Sequence, residues 1–187
     1  MLTYTDYSMI IAPPENIVKE ISRYKRASVN VIGHFEGMHS RANILITNQA
    51  RCKPFLAQPA IAAMAQRLIS IPVIELELDG FGFTNYGTLG IDIYARIKQS
   101  RQTEKWFKLL TRQMGIKVKG FVPQIPIVRN VPYSAFKKLW PNFQHRVFYE
   151  TFTVNSLTVL HRETYAEYCE WRVYKELFFA NRLENIF

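Results

Sequence analysis

The residue order predicts an α+β fold with mostly antiparallel sheets, and three observations lead there. Short apolar runs with period-two alternation recur along the chain and are separated by a few amphipathic helical segments. The two halves echo one another by type of element, each offering strands, a helix and one strand that opens on an amide side chain. An apolar fraction of 48%, with 14% aromatic residues, is enough to fill a core in a chain of 187 residues.

The elements follow in order. Residues 7–12 (Tyr-Ser-Met-Ile-Ile-Ala) form a first strand, ended by Pro13 and Pro14. Residues 15–26 place Ile17, Val18, Ile21 and Tyr24 at helical spacing behind Pro14. The β-branched run over 28–32 reads as another strand. Residues 33–40 (Gly-His-Phe-Glu-Gly-Met-His-Ser) form a loop, and the strand that opens at Asn43 follows it. Pro59 suits the first position of a helix that carries Ile61, Met64 and Leu68. Residues 74–79 alternate cleanly, which predicts a half-buried strand with Glu75, Glu77 and Asp79 on one face. That face is read as solvated in preference to a set of paired carboxylates. Residues 80–90 read as glycine-rich turn and residues 89–97 as the next strand.

The clearest helix spans 101–114. Arg101, Lys105, Lys108 and Arg112 fall in one narrow sector at about 100° per residue, and Trp106, Phe107, Leu110 and Met114 lie opposite. Lys98, Lys117 and Lys119 extend its basic side. These residues are candidates for phosphate contacts, although a solvated helix face carries the same pattern. A strand at Gln124, a short helix over 134–140 broken by Pro141-Asn142, and closing strands over 148–160 and 170–179 complete the chain. No long linker or low-complexity segment divides it, so residues 1–187 are expected to form a single domain.

Charge narrows the partners. The chain holds 24 Lys and Arg against 15 Asp and Glu, a net +9, which favours anionic partners such as RNA, nucleotides or acidic proteins. Two cysteines, Cys52 and Cys169, allow no disulfide framework and no zinc-binding set. His34 and His39 are spaced i, i+5, off the i, i+4 of a helical metal pair, and lack a third ligand. No metal and no cofactor is expected. The first residues carry neither a basic nor an apolar region of a signal peptide, and no apolar run approaches the roughly 20 residues of a membrane span. A cytoplasmic protein without membrane contact is expected.

Two segments carry the functional argument. One is Arg41-Ala42-Asn43-Ile44-Leu45-Ile46-Thr47; the other is Phe121-Val122-Pro123-Gln124-Ile125-Pro126-Ile127-Val128-Arg129. In each an amide precedes an apolar run, and the residue two further on, Leu45 or Pro126, shares its strand face. Around them stand Tyr7-x-Met-Ile-Ile-x-Pro-Pro, Leu76-x-Leu-Asp-Gly-Phe-Gly-Phe and Phe152-Thr-Val-Asn-Ser-Leu-Thr-Val-Leu-His-Arg. In order and spacing, over roughly residues 7–179, these segments resemble the two-histidine phosphoesterase superfamily, the 2'-5' RNA ligase and cyclic phosphodiesterase group. That family has a His-x-Thr or His-x-Ser strand in each lobe; its second motif usually reads Phe-x-Pro-His-x-Thr-Leu-Ala-Arg.

The resemblance implies two lobes related by a pseudo-twofold axis, with a cleft between them. It places Asn43 and Leu45 at the first His and Thr, Gln124 and Pro126 at the second pair, with Arg41 and Arg129 beside them. In the family one imidazole removes a proton and the other returns one, while the hydroxyls hold the phosphate. Amides do not titrate near neutrality, Leu45 has no polar group, and Pro126 lacks even its N–H. Loss of a positioned acid or base costs about 10²–10⁴-fold per group.

A catalytically impaired homologue is therefore expected, one that binds RNA ends, a nucleotide or another anionic ligand between its lobes. An active phosphodiesterase or ligase using His34, His39 or Arg129 is the alternative, with His34 and His39 at the cleft mouth rather than as solvated loop residues. A protein-interaction module without a small ligand is the third reading. His145 and His161 read as surface or edge residues, with His161 and Arg162 a minor candidate for an anion.

Overall fold

The computed structural model describes residues 4–117, 120–165 and 170–180. The elements run β1 (Thr5–Ile11), α1 (Glu15–Ile32), β2 (Ile44–Cys52), α2 (Pro54–Leu68), β3 (Ile74–Asn85), β4 (Ile91–Ile97), α3 (Arg101–Met114), β5 (Gln124–Val131), α4 (Tyr133–Leu139), β6 (Tyr149–Val154), β7 (Ser156–Glu163) and β8 (Arg172–Phe178). They form two four-stranded sheets, ordered β2-β1-β7-β8 and β5-β4-β3-β6, antiparallel at every pairing. The expected α+β, bilobal architecture is what the chain adopts.

The two sheet orders match position by position. β1 corresponds to β4, β2 to β5, β7 to β3 and β8 to β6, and α1 follows β1 as α3 follows β4. The likeness extends to single hydrogen bonds. Asp6 on β1 accepts from the Arg51 N–H at 2.9 Å, and Asp92 on β4 accepts from the Asn130 N–H at 2.8 Å. Arg51 (φ 54°) and Asn130 (φ 53°) are the non-glycine residues with positive φ among the described residues. Left-handed backbone disfavours an L side chain by roughly 1–2 kcal/mol, and a buried carboxylate on the N–H offsets that cost.

β1 is buried along its whole length, as expected of an inner strand covered on both faces. α1 packs Ile17, Val18, Ile21 and Tyr24 inward, and α3 packs Trp106, Phe107, Leu110 and Met114. The Tyr24 ring meets Phe81, Phe143 and Phe148 at centroid distances of 5.0 to 5.9 Å. Through this aromatic cluster α1, which follows β1, grips the second sheet.

The helix over 101–114 forms with the expected bounds, its Ser100 side chain capping the Thr103 N–H. Four other segments differ from expectation. Residues 28–32 are not a strand; they continue α1, because Ser28 stays on the buried face below Tyr24 and donates to its carbonyl at 2.9 Å. The helix stops only at Gly33, whose N–H donates to the Val29 carbonyl. α2 starts at Pro54, and Pro59 lies inside it. The 80–90 segment is mostly strand: β3 runs on to Asn85 through a bulge at Gly80 (φ 68°), with a register shift between Leu78 and Phe81. Gly82 lies under the Tyr94 ring, where a Cβ would come within 2.8 Å of a ring carbon. Residues 148–160 are two strands divided at Asn155, β6 in the second sheet and β7 in the first.

Asp6 links β1 to β2 and β7. Burial pushes its carboxyl up, but hydrogen bonds from the Arg51 N–H, Thr164 and Arg162, with the Arg162 charge, outweigh burial and leave it below its ordinary 3.8. A carboxylate with a lowered folded pKa stabilises fully above the unfolded value and loses that contribution as pH falls through the folded one. The Asp6→Asn variant is expected to be about 1–3 kcal/mol less stable at pH 7 by urea denaturation. Its deficit shrinks as pH falls below 3.8; an equal deficit at every pH contradicts the assignment.

Candidate functional site

Strand register decides which side chains reach the cleft. On β2, Ile44 and Ile46 are buried, and Leu45 between them is 40% exposed. On β5, Ile125 and Ile127 are buried, and Gln124 and Pro126 are half-buried on the other face. β2 and β5 are edge strands of their sheets and lie against each other. An edge position is where proline can stand without breaking a ladder, which suits Pro126.

The result is one cavity of about 830 Å³, lined from the first lobe by Arg41, Asn43 and Leu45 and from the second by Gln124, Pro126 and Arg129. The two amide segments converge on a common space. The Asn43 Nδ2 donates to the Arg41 carbonyl at 3.0 Å, which orients the amide and leaves its oxygen open. The Gln124 amide has no hydrogen-bond partner among the described residues. Arg41 pairs with Glu15, whereas the Arg129 guanidinium pairs with no carboxylate among the described residues.

Other lining residues carry no motif in the sequence. Ser8, Ser40, Asn48 and Thr158 add polar groups; Ile10, Leu160, Trp171 and Val173 add an apolar wall; Asp92 and Glu170 add two carboxylates. Their approach depends on β1 and β8 taking their places beside β7, a strand order that periodicity does not encode. The two arginines face two acids, so the chain's net charge of +9 is not concentrated in the cleft.

None of the four histidines lines this cavity. His34 and His39 line a separate shallow hollow in their own loop, where the His34 Nδ1 lies 3.2 Å from the Met38 sulfur. Both histidines are exposed, as solvated loop residues are, and their loop is anchored at the rim of the cavity, which Ser40 and Arg129 line. Glu36 bridges to Arg129 through the backbone and accepts from the Asn130 amide, and Lys25 holds the loop from below. His145 is exposed in the turn before β6. His161 is half-buried on β7, its ring 6.5 Å from Tyr7 and 5.3 Å from Tyr174. Arg162 is engaged by Asp6 and is no free anion site.

The basic helix lies outside the cleft. Arg101, Lys105, Lys108 and Arg112 are exposed on the outer side of α3, while its apolar side packs inward. Lys98 is paired with Glu77, and Arg96 with Asp79, so the acidic face of β3 is a salt-bridged outer surface. Lys117 is exposed; Lys119 and Cys169 lie outside the described residues. No group of metal-ligating side chains occurs among the described residues. No described helix is long and apolar enough to cross a membrane.

Neither a protein-family model nor a curated protein matches the chain. Solved structures do. Escherichia coli LigT complexed with 3'-AMP superposes with a TM-score of 0.65 at 11% identity, over 96% of this chain and 99% of that one. A structure described as a phosphoesterase gives 0.63 at 12% identity, over 94% and 98%. TT0787 of Thermus thermophilus gives 0.62 at 16% identity, over 95% and 99%. Other LigT structures hold NADP+, phosphate and ATP. The bilobal α+β fold is thus the LigT and phosphoesterase fold, as the resemblance to the two-histidine family implies.

Lys25 ties the site to α1. It is 4% exposed, and its Nζ donates to the Gly37 and Ser40 carbonyls and the Ser40 hydroxyl at 2.8 to 2.9 Å. Burial, aided by the Arg129 charge, pushes its pKa down to about 8 from 10.5. The unfolded chain then binds more protons between those values, so stability rises with pH across that window. Lys25→Met is expected to destabilise by about 1–3 kcal/mol at pH 7. Denaturation across pH 7 to 10.5 should show the rise from Lys25 in the native chain and its loss in the variant; no difference in slope refutes the buried-ammonium account.

Proposed function

We propose that this chain is a two-histidine phosphoesterase homologue, a single bilobal domain over residues 1–187, with little or no phosphoester turnover. Its inter-lobe cleft binds a small anionic ligand, a nucleotide or the end of an RNA. The observation that carries the reading is the shared cavity. Both amide segments line it and no histidine of the chain does, while the resemblance puts Asn43 and Gln124 at the places of the proton-transfer pair.

The chemistry follows from the side chains. An amide can donate to a phosphate oxygen or accept from a hydroxyl, but cannot pass a proton near pH 7. Arg129, which has no carboxylate partner among the described residues, supplies the charge for an anion. LigT structures that hold 3'-AMP, phosphate and ATP support the same class of ligand. Catalysis through His34 or His39 is disfavoured by their separate hollow. A purely protein-binding module leaves an open, unpaired Gln124 and Arg129 in a cavity without a use.

Restoring the family pattern tests the reading. The native chain should hydrolyse 2',3'-cyclic nucleotides no faster than background. The quadruple variant Asn43→His, Leu45→Thr, Gln124→His, Pro126→Thr is expected to gain at least about 10²-fold. 3'-AMP and phosphate should raise the native chain's thermal stability, since a ligand specific to the folded state must do so, and Arg129→Met should weaken both effects. Robust native turnover abolished by Asn43→Ala or Gln124→Ala overturns the impaired-enzyme reading. Unchanged thermal stability with every anion tried favours the protein-interaction module instead.

A further inference from the structure

The matched carboxylates of the two lobes differ in what else they hold, and that difference leads to the cleft. Asp6 and Asp92 each hold the N–H of a left-handed residue. Asp6 alone also accepts from the Thr164 hydroxyl at 2.8 Å and from the Arg162 Nε at 3.0 Å. The Arg162 guanidinium in turn lies over the Trp171 ring, 4.6 Å from its centroid. No described residue extends Asp92 in this way. Thr164 and Arg162 tie β7 to Asp6 on β1; the further step, from Arg162 to the face of Trp171, ends at the cavity.

Trp171 lines the cavity and stays 39% exposed. A guanidinium against one face of an indole fixes the ring, and a ring held in place loses little freedom when a ligand docks. Beside it stand Leu160 and Val173, register partners across β7 and β8 that line the same cavity. Leu45, Tyr86, Val122, Trp171 and Val173 are all large, apolar and exposed, and all border this one space. Solvent-exposed apolar groups gathered in a single concavity mark a binding wall.

The outward motif positions themselves add little polarity to the cleft. Leu45 and Pro126 bring no hydroxyl. Arg41 is tied to Glu15, and Arg129 shares the cavity with Asp92 and Glu170. Charges of both signs line the cavity, so a flat apolar surface adds a selectivity that charge does not.

We propose that Trp171 is the specificity-determining residue of the cleft, stacking a planar aromatic ring carried by the anionic ligand. The assignment rests on the cleft being a ligand site, as argued above, and adds the part of the ligand that is recognised. Arg162 is its positioning residue, acting through the ring and not on the ligand.

Three probes and three variants separate the outcomes. Binding of 3'-AMP, ribose 5-phosphate and inorganic phosphate to the full chain is measured by calorimetry, alongside tryptophan fluorescence. Trp171→Leu should weaken 3'-AMP roughly 5- to 150-fold, the range for loss of one base–aromatic stack. It should leave ribose 5-phosphate and phosphate unchanged and abolish the fluorescence change with 3'-AMP. Trp171→Phe should recover most of the affinity. Arg162→Met should weaken 3'-AMP alone, by less than Trp171→Leu. Equal 3'-AMP affinity in the native chain and Trp171→Leu overturns the platform while leaving the anion site standing. So does equal weakening of all three probes, which marks a structural role. If the native chain binds none of the three, the ligand-site reading fails and takes this assignment with it.

Discussion

The cleft depends on the register of β2 against β1 and of β5 against β4. Side chains alternate across a strand, so a slip of one residue would turn Ile44 and Ile46 into the cleft and bury Leu45. The same slip on β5 would bury the Gln124 amide. Both strands are edges, with a partner on one side only, and edge strands are the ones most able to slide. Two carboxylates oppose that. Asp6 and Asp92 each seize one backbone N–H at the end of the edge strand, at a residue whose positive φ presents it. The apolar alternation chooses the face, and the carboxylates fix the end of the strand to its neighbour.

The register also explains why the outward positions of β2 and β5 are free to vary. The framework needs Ile44, Ile46, Ile125 and Ile127 inside, and these are all buried. It places no demand on the outward positions beyond fitting a half-open surface. Asn43, Leu45, Gln124 and Pro126 satisfy that, so the fold does not depend on which chemistry those positions carry. Fold and activity separate along the two faces of the same strands.

Much of this was legible in the residue order, and the rest was withheld for identifiable reasons. Periodicity gave α3 its bounds and put Leu45 and Pro126 on their strands' outward faces. It failed at residues 28–32, where a β-branched run imitates a strand although Ser28 keeps the helical face. It failed again at Gly80 and Gly82, which serve a bulge and a ring contact inside β3 rather than a turn. Asn155 sends one continuous alternating stretch into two sheets. The cleft's motif positions could be named because a family resemblance carried them. Trp171, Asp92 and Leu160 could not, because their approach to the cleft follows from strand order, which local pattern does not contain. The anchors of the histidine loop were hidden for a similar reason: Lys25, Arg129 and Asn130 come from different elements of both lobes.

Asymmetry between the lobes is where a duplicated architecture records its use. Backbone demands fall equally on both lobes, which is why Asp6 and Asp92, or Arg51 and Asn130, resemble each other so closely. A ligand imposes no such balance, because it is not itself symmetric. The contacts running from Asp6 through Arg162 to Trp171 exist in one lobe only and end at the cavity wall. Arg129, from the other lobe, lines the same cavity without a carboxylate partner among the described residues. A site that holds both a flat apolar surface and a cation discriminates by shape as well as by charge.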